Sequence, residues 1–130
     1  MTKNKNKVVD VQGLTTTTRV ITFKEIKDAW KELTERVYEE SVYNIESKLG
    51  DGIANFDPDT VRQYLDEAEA AQDLHYLIDE CEDMEEYEDI NFKKYLTGMR
   101  IKDKETLTDY AGNTLDLDEE IVNEMCKVFD

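Results

Sequence analysis

Lys24–Gly52 reads KEIKDAWKELTERVYEESVYNIESKLGDG. Ile26, Trp30, Leu33, Val37, Ser41, Ile45 and Leu49 recur at steps of three and four residues. That interval stacks side chains on one face of an α-helix. Tyr38 and Val42 widen the stripe. The closing GDG ends it, because glycine enters backbone conformations that stop a helix. One long amphipathic helix is therefore predicted, and its apolar face requires a partner.

The next segment supplies one. In NFDPDT, Asn55–Thr60, Asp57 is placed to cap a helix and Pro58 to occupy its first position, where a missing N–H costs nothing. Val61, Leu65, Ala68, Leu74, Ile78 and Cys81 form its apolar stripe. This helix runs to about Asp83 or breaks near Ala71–Gln72. A further helix over Met84–Thr97 would use Tyr87, Ile90 or Asn91, Lys94 and Tyr95, ending at Gly98. Asp118 caps a last helix whose Ile121, Val122, Met125, Val128 and Phe129 face inward.

Two segments read as extended. LTTTTRVITF, Leu14–Phe23, is rich in β-branched and aromatic residues and predicts a short strand. TLTDYAGNTLDL, Thr106–Leu117, reads as a hairpin turning at Gly112-Asn113. The expected class is α+β: a mostly helical single domain over residues 14–130 with a small antiparallel sheet or hairpin. A flexible basic N-terminal arm, residues 1–13, precedes it.

The formal charge is −16 over 130 residues. It is uneven: residues 1–27 hold six basic groups against Asp10 and Glu25, and the remainder holds ten basic against thirty acidic groups. An apolar fraction of 39% with Trp30, seven Tyr and four Phe separates the chain from disordered acidic sequences. Self-repulsion of this size opposes compaction. Direct partnership with nucleic acid or an anionic membrane is disfavoured, and a basic protein surface is the natural complement. The lysines at 3, 5 and 7 are followed by no leader-like apolar run, and Cys81 and Cys126 form no spaced framework. A cytoplasmic protein with reduced thiols is expected.

Catalytic and metal signatures are not found. His75 is the single histidine, which removes zinc motifs built on two. Acids surround Cys81 and disfavour a reactive thiolate. Calcium loops begun at Asp51, Asp57 or Asp109 place Ile53, Val61 or Ala111 where oxygen ligands are needed. No phosphate-cradling loop occurs. No catalytic residue, cofactor or metal is assigned.

The exceptional feature is an acidic band. Between Asp66 and Asp89 stand twelve acids and no Lys or Arg: Asp66, Glu67, Glu69, Asp73, Asp79, Glu80, Glu82, Asp83, Glu85, Glu86, Glu88 and Asp89. Ordinary solvated helices alternate Glu with Lys for a few tenths of a kcal/mol per pair. This band instead sets like charges at those spacings, among them Asp66–Glu69, Glu69–Asp73 and Glu82–Glu86. A continuous helix would carry about one charge per 3 Å, close to the roughly 3.4 Å of a nucleic-acid strand. Tyr76 and Tyr87 lie inside the band as candidate anchors beside Arg or Lys. These two tyrosines and the twelve acids are the candidate partner-binding residues.

Small size, strong acidity and segments such as DECEDMEEYED, Asp79–Asp89, make the chain resemble a class. It resembles phage and mobile-element inhibitors of bacterial defence, namely DNA-mimic antirestriction proteins and several anti-CRISPR proteins. The resemblance implies a stoichiometric, non-enzymatic inhibitor in the host bacterial cytoplasm. Its partner would be a basic nucleic-acid-binding protein, a CRISPR effector or restriction nuclease, whose DNA/RNA cleft it blocks. The alternative is a regulatory module that binds its partner through an apolar helical groove, the acids serving solubility. Oligomeric state is left open.

Overall fold

A computed structural model describes residues 6–9, 15–18, 20–50, 52 and 56–130. Two long helices, α1 (Phe23–Gly50) and α2 (Pro58–Glu80), form its frame. Three cross-helix bonds fix them as an antiparallel hairpin. Lys27 Nζ donates to the Cys81 carbonyl at 2.8 Å, Lys31 Nζ to Asp79 at 2.7 Å, and Thr34 Oγ1 lies 2.9 Å from His75 Nδ1. Partner numbers fall along α2 as they rise along α1. Asp57 caps α2, its side chain accepting from the Asp59 N–H at 3.1 Å, with Pro58 behind it.

Short helices then fold back over the start of α1 and the end of α2. These are α3 (Met84–Glu88), α4 (Phe92–Gly98), α5 (Lys104–Thr108) with a π-helical turn (Asp109–Thr114), and α6 (Glu119–Cys126) with a final 3₁₀ turn (Lys127–Phe129). The core lies between the two layers. Trp30, Leu33, Leu74, Ile78, Leu107 and Met125 are completely buried there. The Trp30 Nε1–H donates to the Tyr87 hydroxyl at 2.7 Å, and both rings pack on Phe92. At Gly98 an added Cβ would stand 2.6 Å from the Ala70 Cβ, so α4 approaches α2 at a distance only glycine permits.

The fold is all-α, which corrects the α+β expectation. No strand occurs among the described residues from 20 to 130. The expected hairpin at Thr106–Leu117 is α5 and the π turn. Asp103 nucleates it, accepting from the Thr106 N–H at 2.8 Å. Leu107 and Ala111, four residues apart, are both completely buried. The Leu115 N–H reaches the Tyr110 carbonyl at 3.1 Å, and a left-handed Asp116 (φ 56°) ends the run. Burial of one helical face therefore overrode the strand preference of the threonines and the turn preference of Gly112-Asn113. Among the described residues strand pairing is confined to a four-residue antiparallel pair, β1 (Asn6–Val9) and β2 (Thr15–Thr18), which precedes the helical body in sequence. This pair adds no sheet layer to the helical core. The flexibility expected of residues 1–13 falls mainly on positions outside the described residues.

Candidate functional site

The acidic band is not one helix. It breaks at Cys81, whose backbone is extended (φ −67°, ψ 132°). Electrostatics favour the break. Asp79 and Glu80 sit at the negative C-terminal end of α2, which has no basic residue in its last turn. Continued helix would prolong that conflict. A fresh start at Asp83 places Glu85 and Glu86 in the positive first turn of α3. Asp83 accepts from the Glu86 N–H at 2.9 Å, and Glu86 Oε1 accepts from the Glu82 N–H at 2.7 Å. These two acids hold the corner together.

The band consequently resolves into two arrays. On α2, Asp66, Glu69, Asp73, Tyr76 and Glu80 are exposed and separated by three, four, three and four residues. They form one line along the outer face, about 21 Å long at ~1.5 Å per residue. Among the described residues, none of its four carboxylates has an ion-pair partner. Tyr76, 65% exposed, stands between Asp73 and Glu80. The second array is the corner itself, where Glu82, Glu85, Glu88 and Asp89 are exposed beside Asp83 and Glu86.

Three of the candidate residues are diverted. Asp79 pairs with Lys31, and their hydrogen bond holds the carboxyl below its ordinary range while raising the ammonium. Glu67 is half-buried; its burial pushes the carboxyl up, and Arg100 partly offsets this. Tyr87 is 6% exposed and belongs to the core, which corrects its place among the partner contacts. Burial pushes its phenol well above the ordinary value, with the Trp30 hydrogen bond acting the other way. The charge density of a continuous helix is corrected too. The outer line offers about one carboxylate per 5–7 Å, sparser than a nucleic-acid strand at roughly 3.4 Å. What it does provide is a row of exposed carboxylate acceptors on one helix face, with an aromatic ring set into it.

The remaining chemistry is structural in form. Cys81 and Cys126 are free and buried. Burial, then Glu86, pushes the Cys81 thiol up. His75 meets the Thr34 hydroxyl, which also lies 2.9 Å from the Trp30 carbonyl. Among the described residues no group of three or more His, Cys, Asp or Glu is arranged to hold a metal, and no helix is long and apolar enough to cross a membrane.

Sequence reasoning missed one surface. Leu65, assigned to the inward stripe of α2, is 53% exposed and lines a groove with Tyr38, Val42 and Ile45 of α1. The signal was the width of the α1 stripe: Tyr38 and Val42 made it broader than one packed neighbour covers. No protein-family model matches the chain, and searches of curated proteins and of solved structures return no match.

Proposed function

We propose that this protein is a non-enzymatic, stoichiometric inhibitor acting in the bacterial cytoplasm. Its acidic surface occupies the DNA/RNA-binding cleft of a defence nuclease, a CRISPR effector first and a restriction nuclease second. The observation that supports this reading is the outer line Asp66–Glu69–Asp73–Glu80, exposed and without ion pairs among the described residues, with Tyr76 inside it. Arg and Lys that ordinarily hold phosphates would find carboxylates at helical spacing. A guanidinium can engage a carboxylate through two parallel bonds and stack on the tyrosine ring. Occupied cations no longer bind phosphate, so inhibition is competitive and needs no turnover. Charge steers association, which should slow steeply with salt.

The corner array supports the same surface, but Asp83 and Glu86 also stabilise the local backbone. The decisive variant therefore reverses the outer line alone: D66K, E69K, D73K and E80K together. These positions are exposed, so the variant should stay folded by circular dichroism. Cleavage assays with purified CRISPR effectors and restriction nucleases, at graded inhibitor and salt, are the measurement. Inhibition that falls away in the variant and weakens with salt supports the reading. Undiminished inhibition by the variant would sink it.

A further inference from the structure

The second layer covers one side of the α1/α2 hairpin; the other side is open among the described residues. Along it runs an apolar trough. At one end Thr34, Tyr38, Gln72 and His75 bound a small pocket, and Tyr38 and Gln72 continue into a groove of about 610 Å³. Val42, Ile45, Phe56, Val61 and Leu65 line that groove. Phe56 and Leu65 are 42% and 53% exposed, and Leu49 at the helix end is 57% exposed. This apolar surface is grouped on one face, as docking grooves are.

Charge decides what fits. Asp66 and Glu69 line the α2 edge of the groove, with Arg62 as the one cation in its lining among the described residues. On α1, Glu35 lines the pocket end, while Glu39 and Glu46 lie on the exposed outer side next to the stripe. None of these five acids has an ion pair among the described residues. A second copy laid groove to groove would set Asp66 and Glu69 against like charges. A basic amphipathic helix has the complementary arrangement: an apolar stripe for the trough and Lys or Arg for both acidic edges. Thr34 to Leu49 spans about 22 Å at ~1.5 Å per residue, the length of roughly four helical turns.

We propose that this trough is a docking groove for a basic amphipathic helix of a protein partner. The proposal does not rest on that partner being a nuclease. It differs from the solubility role of the acids, because here the carboxylates flank the apolar contact and select a cationic helix. Binding is thus partly apolar and partly electrostatic, and survives salt that removes purely ionic contacts.

The test uses the full chain and a Leu/Lys amphipathic peptide of about 18 residues, with a control of identical composition whose leucines are spread around the helix. Titration calorimetry should show the striped peptide binding at least about tenfold more tightly than the control. The variant V42S/L65S, at one half-buried and one exposed position of the groove lining, should lose about that factor while keeping its helical fold by circular dichroism. The variant D73K/E80K, which leaves the groove lining intact, should keep peptide binding even where it abolishes nuclease inhibition; failure of one reading is then separable from failure of the other. Equal affinity for both peptides, or no effect of V42S/L65S, overturns the proposal. So does a dimer in sedimentation equilibrium that V42S/L65S dissociates, which gives the groove to a second copy. Nuclear Overhauser contacts from residues 1–19 to Ile45 or Leu65 overturn it as well, assigning the groove to the chain's own N-terminal segment.

Discussion

The two halves of the α1/α2 hairpin carry the same apolar period and bury it to opposite extents. In the closed half, Ile26, Trp30 and Leu33 meet Leu74 and Ile78 beneath α3–α6, all within 1% of complete burial. In the open half the apolar stripes continue through Ile45 and Leu65, yet no residue of α1 beyond Ser41 is buried. The same helical periodicity thus produces a core where a second layer arrives and a groove where it does not. Buried apolar contact is concentrated in the first half, while the second leaves apolar side chains exposed among the described residues.

Substitution can break that contrast. Trp30→Ala removes the largest fully buried side chain and the Tyr87 hydrogen bond, and should cost about 3–5 kcal/mol. Leu65→Ala in the open half should stay within about 0.5 kcal/mol, the range of exposed sites. Urea denaturation of both variants measures the difference. Comparable losses would mean that the open half is itself packed in solution.

The next effect concerns how closely the second layer sits on α2. Gly98→Ala forces a methyl to within 2.6 Å of the Ala70 Cβ, and both atoms sit on helix backbones that cannot swing aside. A loss of about 1–3 kcal/mol is expected as α4 is pushed off α2. Adding Ala70→Gly removes the clash, so the double variant should recover stability beyond additivity, less about 1 kcal/mol for a helical glycine. A thermal or urea double-mutant cycle with no coupling would show that α4 does not depend on this contact.

Much of this arrangement is legible in residue order, and the exceptions have physical causes. The Asp57-Pro58 start of α2 and the Asp118 cap of α6 are local signals, satisfied by groups within one helical turn, and the stripe of α1 is legible from its period alone. The Asp118 carboxylate does accept from the Glu120 N–H, at 2.9 Å. Thr106–Leu117 misleads because its helix is held by burial of Leu107 and Ala111 against distant elements. Tyr87 shows the same division: its place in an apolar stripe pointed inward, while its acidic neighbours pointed outward, and the hydrogen bond from Trp30 decides. The acids of the band are identifiable from sequence. Their direction is not, because it depends on the break at Cys81 and on pairings such as Lys31–Asp79.

The smallest expected effect is the response to acid, and its sign follows from opposed groups. Glu67 titrates above its ordinary value of 4.5 because burial disfavours its charge. Its folded form therefore gains relative stability as pH falls through that raised value, and the gain is complete below 4.5. Discharge of the −16 surface acts in the same direction by relieving repulsion. Asp57, Asp79 and Asp103 behave oppositely. Hydrogen bonds from Thr60, Lys31 and Thr106 respectively hold them below the ordinary 3.8. Their stabilising contributions are fully present above 3.8 and are lost as pH falls through the lowered values. The thermal midpoint should therefore rise from neutral pH toward about 4 and fall below it. In Glu67→Gln the rise should be shallower. In Asp79→Asn the fall should be shallower, because the Lys31 ion pair is already gone. A midpoint that declines steadily from neutrality would show that crowding these carboxylates costs the fold nothing, so that no partner is needed to account for their crowding.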